Sequence, residues 1–345
     1  MSKVLKKLKE HFSTNKDIKQ VNIFLHSNPD PDSISSAMGL DRIIRTWSPE
    51  TKCTFIYSGE ISHSQNKTLV NVLSIPLVHL NDFKFEEPET SVNIAVDTIP
   101  ERSMPEEYPC LAAIDHHRSD SKRAEITDIR EVGSTAAIIW DYMQKEKIVL
   151  DKNAEQDANI ATAMLIGIKT DTMDLVSENV KNLDFDAYKS LISIVNRRYL
   201  SLIINYSIPS YLFSLRSKLD AEENFRIGNG VFVGGVGCIP SSKRDSLPTM
   251  AEERARVEGI ETSFVFAIVD EHIEVSMRSV GASVDVNAIC HKIFGKDVSG
   301  GKMGSGAAKI PMGFFDLTNT TEEIRERMWN SVKDFMIDKI FKVMV

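Results

Sequence analysis

The sequence predicts an α/β protein with a mainly parallel, Rossmann-like sheet, followed by a smaller α+β domain. Three observations lead there. Short apolar runs alternate with helical segments over roughly residues 20–170, the pattern of strands joined by helical crossovers. Composition then shifts at 225–239 (FRIGNGVFVGGVGCI) to a glycine-rich, β-branched stretch. Finally, 345 residues exceed what one hydrophobic core usually holds.

The elements follow in order. MSKVLKKLKEHF reads as a short helix with Val4, Leu5 and Leu8 on one face. It lacks the apolar stretch and small-residue cleavage site of a secretion signal. VNIFL (21–25) predicts a buried strand, and helical sequence runs from about 33 to 47. Further strands are expected at 54–57, 92–96 (VNIAV) and 111–114 (LAAI), with helices near 134–145 and 153–168. Residues 184–222 read as a helical linker, broken near Pro209. Beyond it, 264–269 and 272–278 form a hairpin pattern, and a helix covers 286–294. A glycine-rich loop leads to a last helix from Thr321, with Thr320 and Glu323 spaced for a capping box. Domains are expected at 1–183 and 223–345.

Composition excludes several classes. The formal charge of -8 argues against broad binding of long duplex nucleic acid. No run of 18 apolar residues exists, so no membrane span or membrane partner is expected. Cys53, Cys110, Cys238 and Cys290 are too scattered for a disulfide framework or a zinc pattern, which points to a reducing cytoplasm.

Four clusters of chemistry-bearing residues follow the apolar segments. The first is His26-Ser-Asn-Pro-Asp30-Pro-Asp32, where Pro29 and Pro31 stiffen the loop and deny it a helix. Alone, it reads equally well as a polar turn with aspartate caps. The second is Asp97 after VNIAV, which alone reads as a cap on a turn through Thr98 and Pro100. The third is Asp115-His116-His117 after LAAI. Successive side chains on an extended chain point in different directions. The three therefore divide: His116 as ligand, Asp115 as its orienting partner, His117 facing substrate. The fourth is an acid at the end of an apolar helix, Asp171 or Asp174, which spacing does not separate. Parallel strands bring their carboxyl ends to one sheet edge, so chance explains the set poorly. Mixed carboxylate and imidazole donors suit Mn²⁺, with Mg²⁺ or Co²⁺ behind it.

Together HSNPDPDS, AVDT, IDHH and GIKTDT resemble the motif series of the DHH/DHHA1 phosphoesterases, particularly the nanoRNase (oligoribonuclease)/pAp phosphatase group. The resemblance implies two divalent cations. His26, Asp30 and Asp97 would hold one; Asp32, Asp97, His116 and Asp171 would hold the other, with Asp97 bridging. His117 would contact the phosphoryl group. The last third resembles a DHHA1 domain, through Val275-Ser-Met-Arg278-Ser279 and the loop from Ser299 to Ala307. That implies substrate contacts from Arg278, Ser279, Gly300, Gly301, Lys302, Gly304, Ser305 and Gly306. Glycine lets backbone amides approach an anion closely. Lys302 stands where the family commonly has histidine, replacing a directed, titratable contact by a point charge.

The activity implied is hydrolysis of short oligonucleotides or 3'-phosphoadenosine 5'-phosphate by a hydroxide shared between the cations. Polyphosphate, pyrophosphate and the linear products of cyclic dinucleotides fit the same chemistry. A nucleotide-binding regulator without turnover is the reading from another class. His63, Asn66, Lys67 and Arg118 are further candidate substrate contacts, for which surface and solvated-loop readings are at least as good. A homodimer remains open.

Overall fold

The structure is a computed structural model. It describes residues 3–15, 17–85, 90–281, 284–302, 304–315, 317 and 320–344, with the backbone alone of Lys302. The chain divides into two compact units, Met1–Ser207 and Ile208–Val345.

The first unit begins with α1 (Lys3–Thr14), β1 (Gln20–Phe24), α2 (Pro31–Trp47), β2 (Lys52–Tyr57), α3 (Ser64–Val72) and β3 (Leu77–His79). It continues through β4 (Ser91–Val96), α4 (Pro100–Ser103), β5 (Cys110–Asp115) and β6 (Ala124–Ile129). Four helices complete it: α5 (Thr135–Lys145), α6 (Glu155–Asp171), α7 (Asn182–Leu191) and α8 (Arg197–Ile204). The six strands form one sheet in the order β3-β2-β1-β4-β5-β6, every pair parallel. Ile23 pairs with Ile94, and Ile94 with Ala112, which aligns the three central strand ends. All five residues of β1 are buried, as a parallel strand covered on both faces requires.

Helices α2, α5 and α6 pack tightly together. At Gly39 a Cβ would fall 2.6 Å from Ile139 Cγ2, so only glycine allows that approach. α6 is apolar nearly all round, with Ile160, Met164, Leu165 and Ile168 all in the core, as a fully enclosed helix must be. The apolar face of α1 is buried as its spacing predicts: Val4, Leu5 and Leu8 join the same core.

The second unit contains α9 (Tyr211–Leu219), β7 (Phe225–Gly228), β8 (Val231–Ile239), α10 (Ser246–Ala255), β9 (Thr262–Val269) and β10 (His272–Ser279). α11 (Val286–Phe294), β11 (Ser299–Lys302), β12 (Ser305–Pro311) and α12 (Glu322–Met344) follow. Its sheet has the order β11-β12-β10-β9-β8-β7, antiparallel except for the parallel pair β8–β9. α11 and α12 bury Val286, Cys290, Trp329, Met336 and Ile340 with the Val275 and Met277 side of the sheet. α9 and α10 cover residues including Phe232 and Val265 on β8 and β9.

Residues 184–222 divide between the units instead of standing apart. Leu191, Leu200 and Ile203 are buried in the first core, while Leu212, Leu215 and Leu219 join the second. The glycine-rich stretch at 225–239 is two strands. Asn229 and Gly230 turn the chain between them with φ of 48° and 75°, the left-handed pair that a tight hairpin needs. Residues 299–307 are likewise a hairpin, β11–β12, turned at Gly304 with φ of 70°. The cap of α12 also differs from expectation. Thr321 Oγ1 accepts from Ile324 N at 3.4 Å, while Thr320 Oγ1 donates to Leu317 O.

Candidate metal centre

Three neighbouring strand ends and one helix end build the centre. The chain leaves β1 toward His26, β4 at Asp97 and β5 at Asp115. Asp30 is the N-cap of α2, accepting from Ser33 N at 3.0 Å, and Pro31 occupies the first turn, where no amide donor is missed. Asp32 lies in that same turn and is fully buried. Asp97 holds φ of 59°, a left-handed conformation that costs a side-chain-bearing residue about 1–3 kcal/mol. Asp171 is the last residue of α6.

These residues converge as two triads. His26, Asp30 and Asp97 offer ligand atoms within 4.8 Å of one another, and so do Asp32, His116 and Asp171. Asp97 adjoins both. Its Oδ2 is 3.9 Å from His26 Nε2, and its Oδ1 is 3.7 Å from His116 Nε2. A third grouping places His117 beside Asp97 and His116. Asp174, the alternative to Asp171, points elsewhere and pairs with Lys169.

The arrangement fits divalent cations on the behaviour of its own atoms. His116 Nδ1 lies 3.1 Å from Val132 O, so it carries a proton and leaves Nε2 to hold either a second proton or a cation. Nε2 faces Asp171 Oδ2 at 2.8 Å. Two acceptors so close repel unless a proton or a cation lies between them. Among the described residues, Asp97 Oδ2 and His116 Nε2 are buried side-chain atoms with no hydrogen-bond partner. Without a cation the carboxylates hold protons instead. Burial, then the charges of Asp171 and Asp30, push Asp32 up to about 7. Burial, then the charges of Asp32, Asp30 and Asp171, push Asp97 well above the usual carboxylate range. Burial works to lower His116, but Asp171 and Asp32 overcome it and raise the imidazole to about 9. His26 is raised in the same way, with Asp30 opposing the effect of burial.

A second layer fixes these side chains. Both oxygens of Asp32 accept backbone amides from the start of α5, Thr135 N at 2.7 Å and Ala136 N at 2.9 Å. Thr135 Oγ1 donates to Asp97 Oδ1 at 2.9 Å, leaving Oδ2 open. Buried Asp184 holds the loop before α5, accepting from Gly133 N and Ser134 Oγ. Gly167 lets α6 reach α2. A Cβ there would lie 2.4 Å from Ser35 Oγ and 3.0 Å from Asp32 Cα. Buried Asn66 donates to Pro29 O at 3.2 Å and so braces the first loop. Thr135, Asp184 and Gly167 are not singled out by sequence reasoning. The signal available for Thr135 was a Gly-Ser-Thr start to an apolar helix, with Ser134 as its N-cap.

Other candidates fall into place. Asp115 orients His117 rather than His116, because the backbone of the β5 end turns His116 toward Val132. His117 Nδ1 is 2.9 Å from Asp115 Oδ1, which also accepts His117 N, while Ser119 Oγ donates to Asp115 Oδ2. Burial opposes ionisation of Asp115, but the His117 and Ser119 hydrogen bonds outweigh it and hold the carboxyl below its ordinary range. The Asp115 carboxylate thus engages His117 through Nδ1, on a side chain that is 44% exposed. Arg118 pairs with exposed Glu131 as a solvated loop cation. His63 caps α3 and stacks edge-on against Tyr206.

In the second unit Arg278, Gly300, Gly301, Ser305 and Gly306 line a groove of about 690 Å³. Ser279 and Gly304 do not line it. Ser279 lies one residue along β10 from Arg278, hence on the opposite face, where its Oγ meets Thr262 Oγ1 at 3.0 Å. The side chain of Lys302 lies outside the described residues. Arg244, Glu274 and Lys309 also line the groove and were not anticipated from sequence. No helix of the described residues is long and apolar enough to cross a membrane.

Residues 20–168 match the model of the DHH family, N-terminal domain. An uncharacterized protein of Methanocaldococcus jannaschii is 33% identical over 321 residues, 92% of this chain. The chain spans only 63% of the length of that relative. A probable manganese-dependent inorganic pyrophosphatase of Lactobacillus delbrueckii subsp. bulgaricus is 28% identical over 310 residues, 80% of this chain and 90% of that protein. Among solved structures, an exopolyphosphatase-related protein from Bacteroides fragilis shares the fold, with a TM-score of 0.68 at 14% identity, over 97% of this chain and 98% of that one. Residues 20–168, which hold the strand-end aspartates and the Asp-His-His tripeptide, are thus a DHH family, N-terminal domain.

Proposed function

We propose that this chain is a hydrolase of phosphoester bonds that uses two divalent cations, with Mn²⁺ as the best match to its donors, and acts on short oligonucleotides or 3'-phosphoadenosine 5'-phosphate. One observation carries the two-cation reading. The two oxygens of Asp97 adjoin separate triads, His26 and Asp30 on one side, Asp32, His116 and Asp171 on the other. Cations held there would supply an activated water and neutralise phosphoryl charge. The residues around them do the rest. Asp115 fixes the His117 ring through Nδ1, so that Nε2 can meet a phosphoryl oxygen or return a proton to the leaving oxygen. Asp32 and Asp97 are held rigid by α5, which keeps the site from reorganising during the reaction.

The second unit supports a nucleotide over a bare phosphate. Its groove lies within the usual size range of small-molecule sites. Burial lowers the pKa of the half-buried Arg278 guanidinium, with the charge of Glu252 opposing the shift. Such a group favours an anionic ligand. A second reading, inorganic pyrophosphate or short polyphosphate, draws on the manganese-dependent pyrophosphatase among the relatives. A panel assay separates the two. It offers dinucleotides, 3'-phosphoadenosine 5'-phosphate, linear pApA and pGpG, pyrophosphate and polyphosphate, with Mn²⁺ and Mg²⁺ in turn. Fastest Mn²⁺-dependent release from a nucleotide supports the first reading. Turnover of pyrophosphate alone replaces it with the second, and no turnover of any substrate leaves a binding protein.

A further inference from the structure

We propose that Asp184, which lies outside the ligand set, is a positioning residue for one cation of the pair, the one that Asp32, Asp97, His116 and Asp171 would hold. This rests on the two-cation reading above and names what sets affinity at one of its two sites. Asp184 lies in the first turn of α7, where a carboxylate is favoured, and its Oδ2 accepts from Lys181 N at 2.9 Å. As a helix cap alone it could stand in water. It is instead fully buried, and its other partners come from the loop before α5. Oδ2 also accepts from Gly133 N at 2.9 Å, and Oδ1 accepts from Ser134 Oγ at 3.2 Å. Gly133 and Ser134 are buried as well, so water cannot replace the carboxylate that satisfies them. A Cβ at Gly133 would fall 2.5 Å from Thr172 Cγ2 and 2.9 Å from Asp184 Cγ, so the loop lies directly against both.

The segment that Asp184 anchors reaches every side chain named for that cation. Val132 O meets His116 Nδ1 at 3.1 Å. Thr135 N and Ala136 N hold the two oxygens of Asp32. Thr135 Oγ1 donates to Asp97 Oδ1. Gly133 seats Thr172, the residue that follows Asp171 at the end of α6. Residues 132–136 thus support three of the four directly and the fourth through its neighbour.

His26 and Asp30 are held by other means. Asp30 caps α2 through Ser33 N, and Asn66 Nδ2 braces their loop by donating to Pro29 O. They meet the anchored segment only through Asp97. Loosening residues 132–136 should therefore weaken one site strongly and the other little. A cap that merely stabilised α7 would have no such preference between the two.

The test is calorimetric titration of the full chain with Mn²⁺, with and without Asp184→Ala, in two backgrounds that each impair one site. In His26→Ala, which leaves the Asp32, His116 and Asp171 site, Asp184→Ala should weaken Mn²⁺ binding by about 10–100-fold. In Asp171→Asn, which leaves the His26 and Asp30 site, the same change should weaken it by no more than about threefold. Asp184→Asn should restore most of the loss, because its amide oxygen can accept both backbone amides while its nitrogen donates to Ser134 Oγ. Unchanged affinity at both sites overturns the proposal, and so does an equal loss at both. Should Asp184→Ala fail to fold, Ser134→Ala decides in the same backgrounds. It breaks the Oδ1 link together with the α5 cap, and should weaken the first site alone by about fivefold or more. Equal or unchanged affinities there overturn the proposal. The unaltered protein separates this inference from the reading beneath it. If it binds no Mn²⁺, the two-cation reading and this inference fall together. If it binds two ions whose affinities ignore Asp184→Ala, this inference alone falls.

Discussion

The metal centre of the first unit and the groove of the second solve different electrostatic problems. In the centre, like charges are forced together. Asp32 and Asp97 are almost completely buried beside Asp171, and their repulsion is stored when the unit folds. In the groove charges of both signs are mixed, with Arg244, Arg278 and Lys309 beside Asp245 and Glu274. The first arrangement needs a rigid frame, because nothing but the fold holds repelling carboxylates in place. α5 supplies it through two amides and one hydroxyl, and Asp97 accepts a strained backbone to aim its side chain. The groove needs no such frame. Its walls are a hairpin and the start of α10, and its charges come from β10, β12 and the turn before α10. A site that binds cations must be built against its own repulsion, whereas a site for an anion can be lined with small residues and backbone.

Substitutions at the two places should therefore fail differently. The largest effect is expected for Asp97→Asn. Turnover with Mn²⁺ should fall by about 10³-fold or more, since both proposed cations would lose a ligand, while circular dichroism stays native. Full activity in that variant would remove Asp97 from the bridging role. Next, Arg278→Ala should raise KM for a dinucleotide by about 30-fold or more, with little change toward a minimal phosphate ester. Parallel losses on both substrates would mean that the guanidinium is not a remote grip. Thr135→Val removes the hydroxyl on Asp97 and keeps the α5 amides on Asp32. Mn²⁺ affinity should drop about 10–100-fold, with Thr135→Ser restoring most of it.

The stored repulsion has a pH signature. Asp32 rises from an ordinary 3.8 to about 7 in the folded metal-free protein, so folding binds its proton more tightly. That contribution to stability is complete below pH 4 and is lost as pH rises through 7. His116, raised from 6.5 to about 9, adds a contribution of the same sign, complete below 6.5 and lost through 9. Metal-free protein should thus melt at lower temperature as pH goes from 5 to 9, and saturating Mn²⁺ should flatten or reverse the slope. A metal-free slope of opposite sign would contradict the geometry of the centre. The smallest effect concerns Met173, which follows the centre with φ of 50° and is 69% exposed. Met173→Gly should stabilise the fold by about 0.5–1 kcal/mol in urea unfolding, because glycine adopts that conformation without strain.

The same contrast decided what sequence could show. Residues placed directly after apolar strands are legible, because a parallel sheet maps such positions onto one edge; His26, Asp97 and His116 are brought together in that way. Their supports are not, because Thr135, Asp184 and Gly167 act through packing of helices far apart in sequence. The Asp115 assignment reached the correct cluster but the wrong histidine, since which ring meets the carboxylate depends on the backbone leaving β5. In the second unit, Arg278 is visible only through the resemblance of its strand. Arg244, Glu274 and Lys309 join it only when the strand register is known. Short, half-exposed elements such as β6, with its weak alternation, left little signal to read.

The proposed hydrolysis requires Asp97 to hold two cations at once. Titration of metal-free protein with Mn²⁺, followed by calorimetry and electron paramagnetic resonance, addresses that directly. Two ions per chain with a spin-coupled signal, uncoupled or reduced to one ion in Asp97→Asn, is the expected result. A single bound ion in the unaltered protein, or coupling that survives Asp97→Asn, would contradict it.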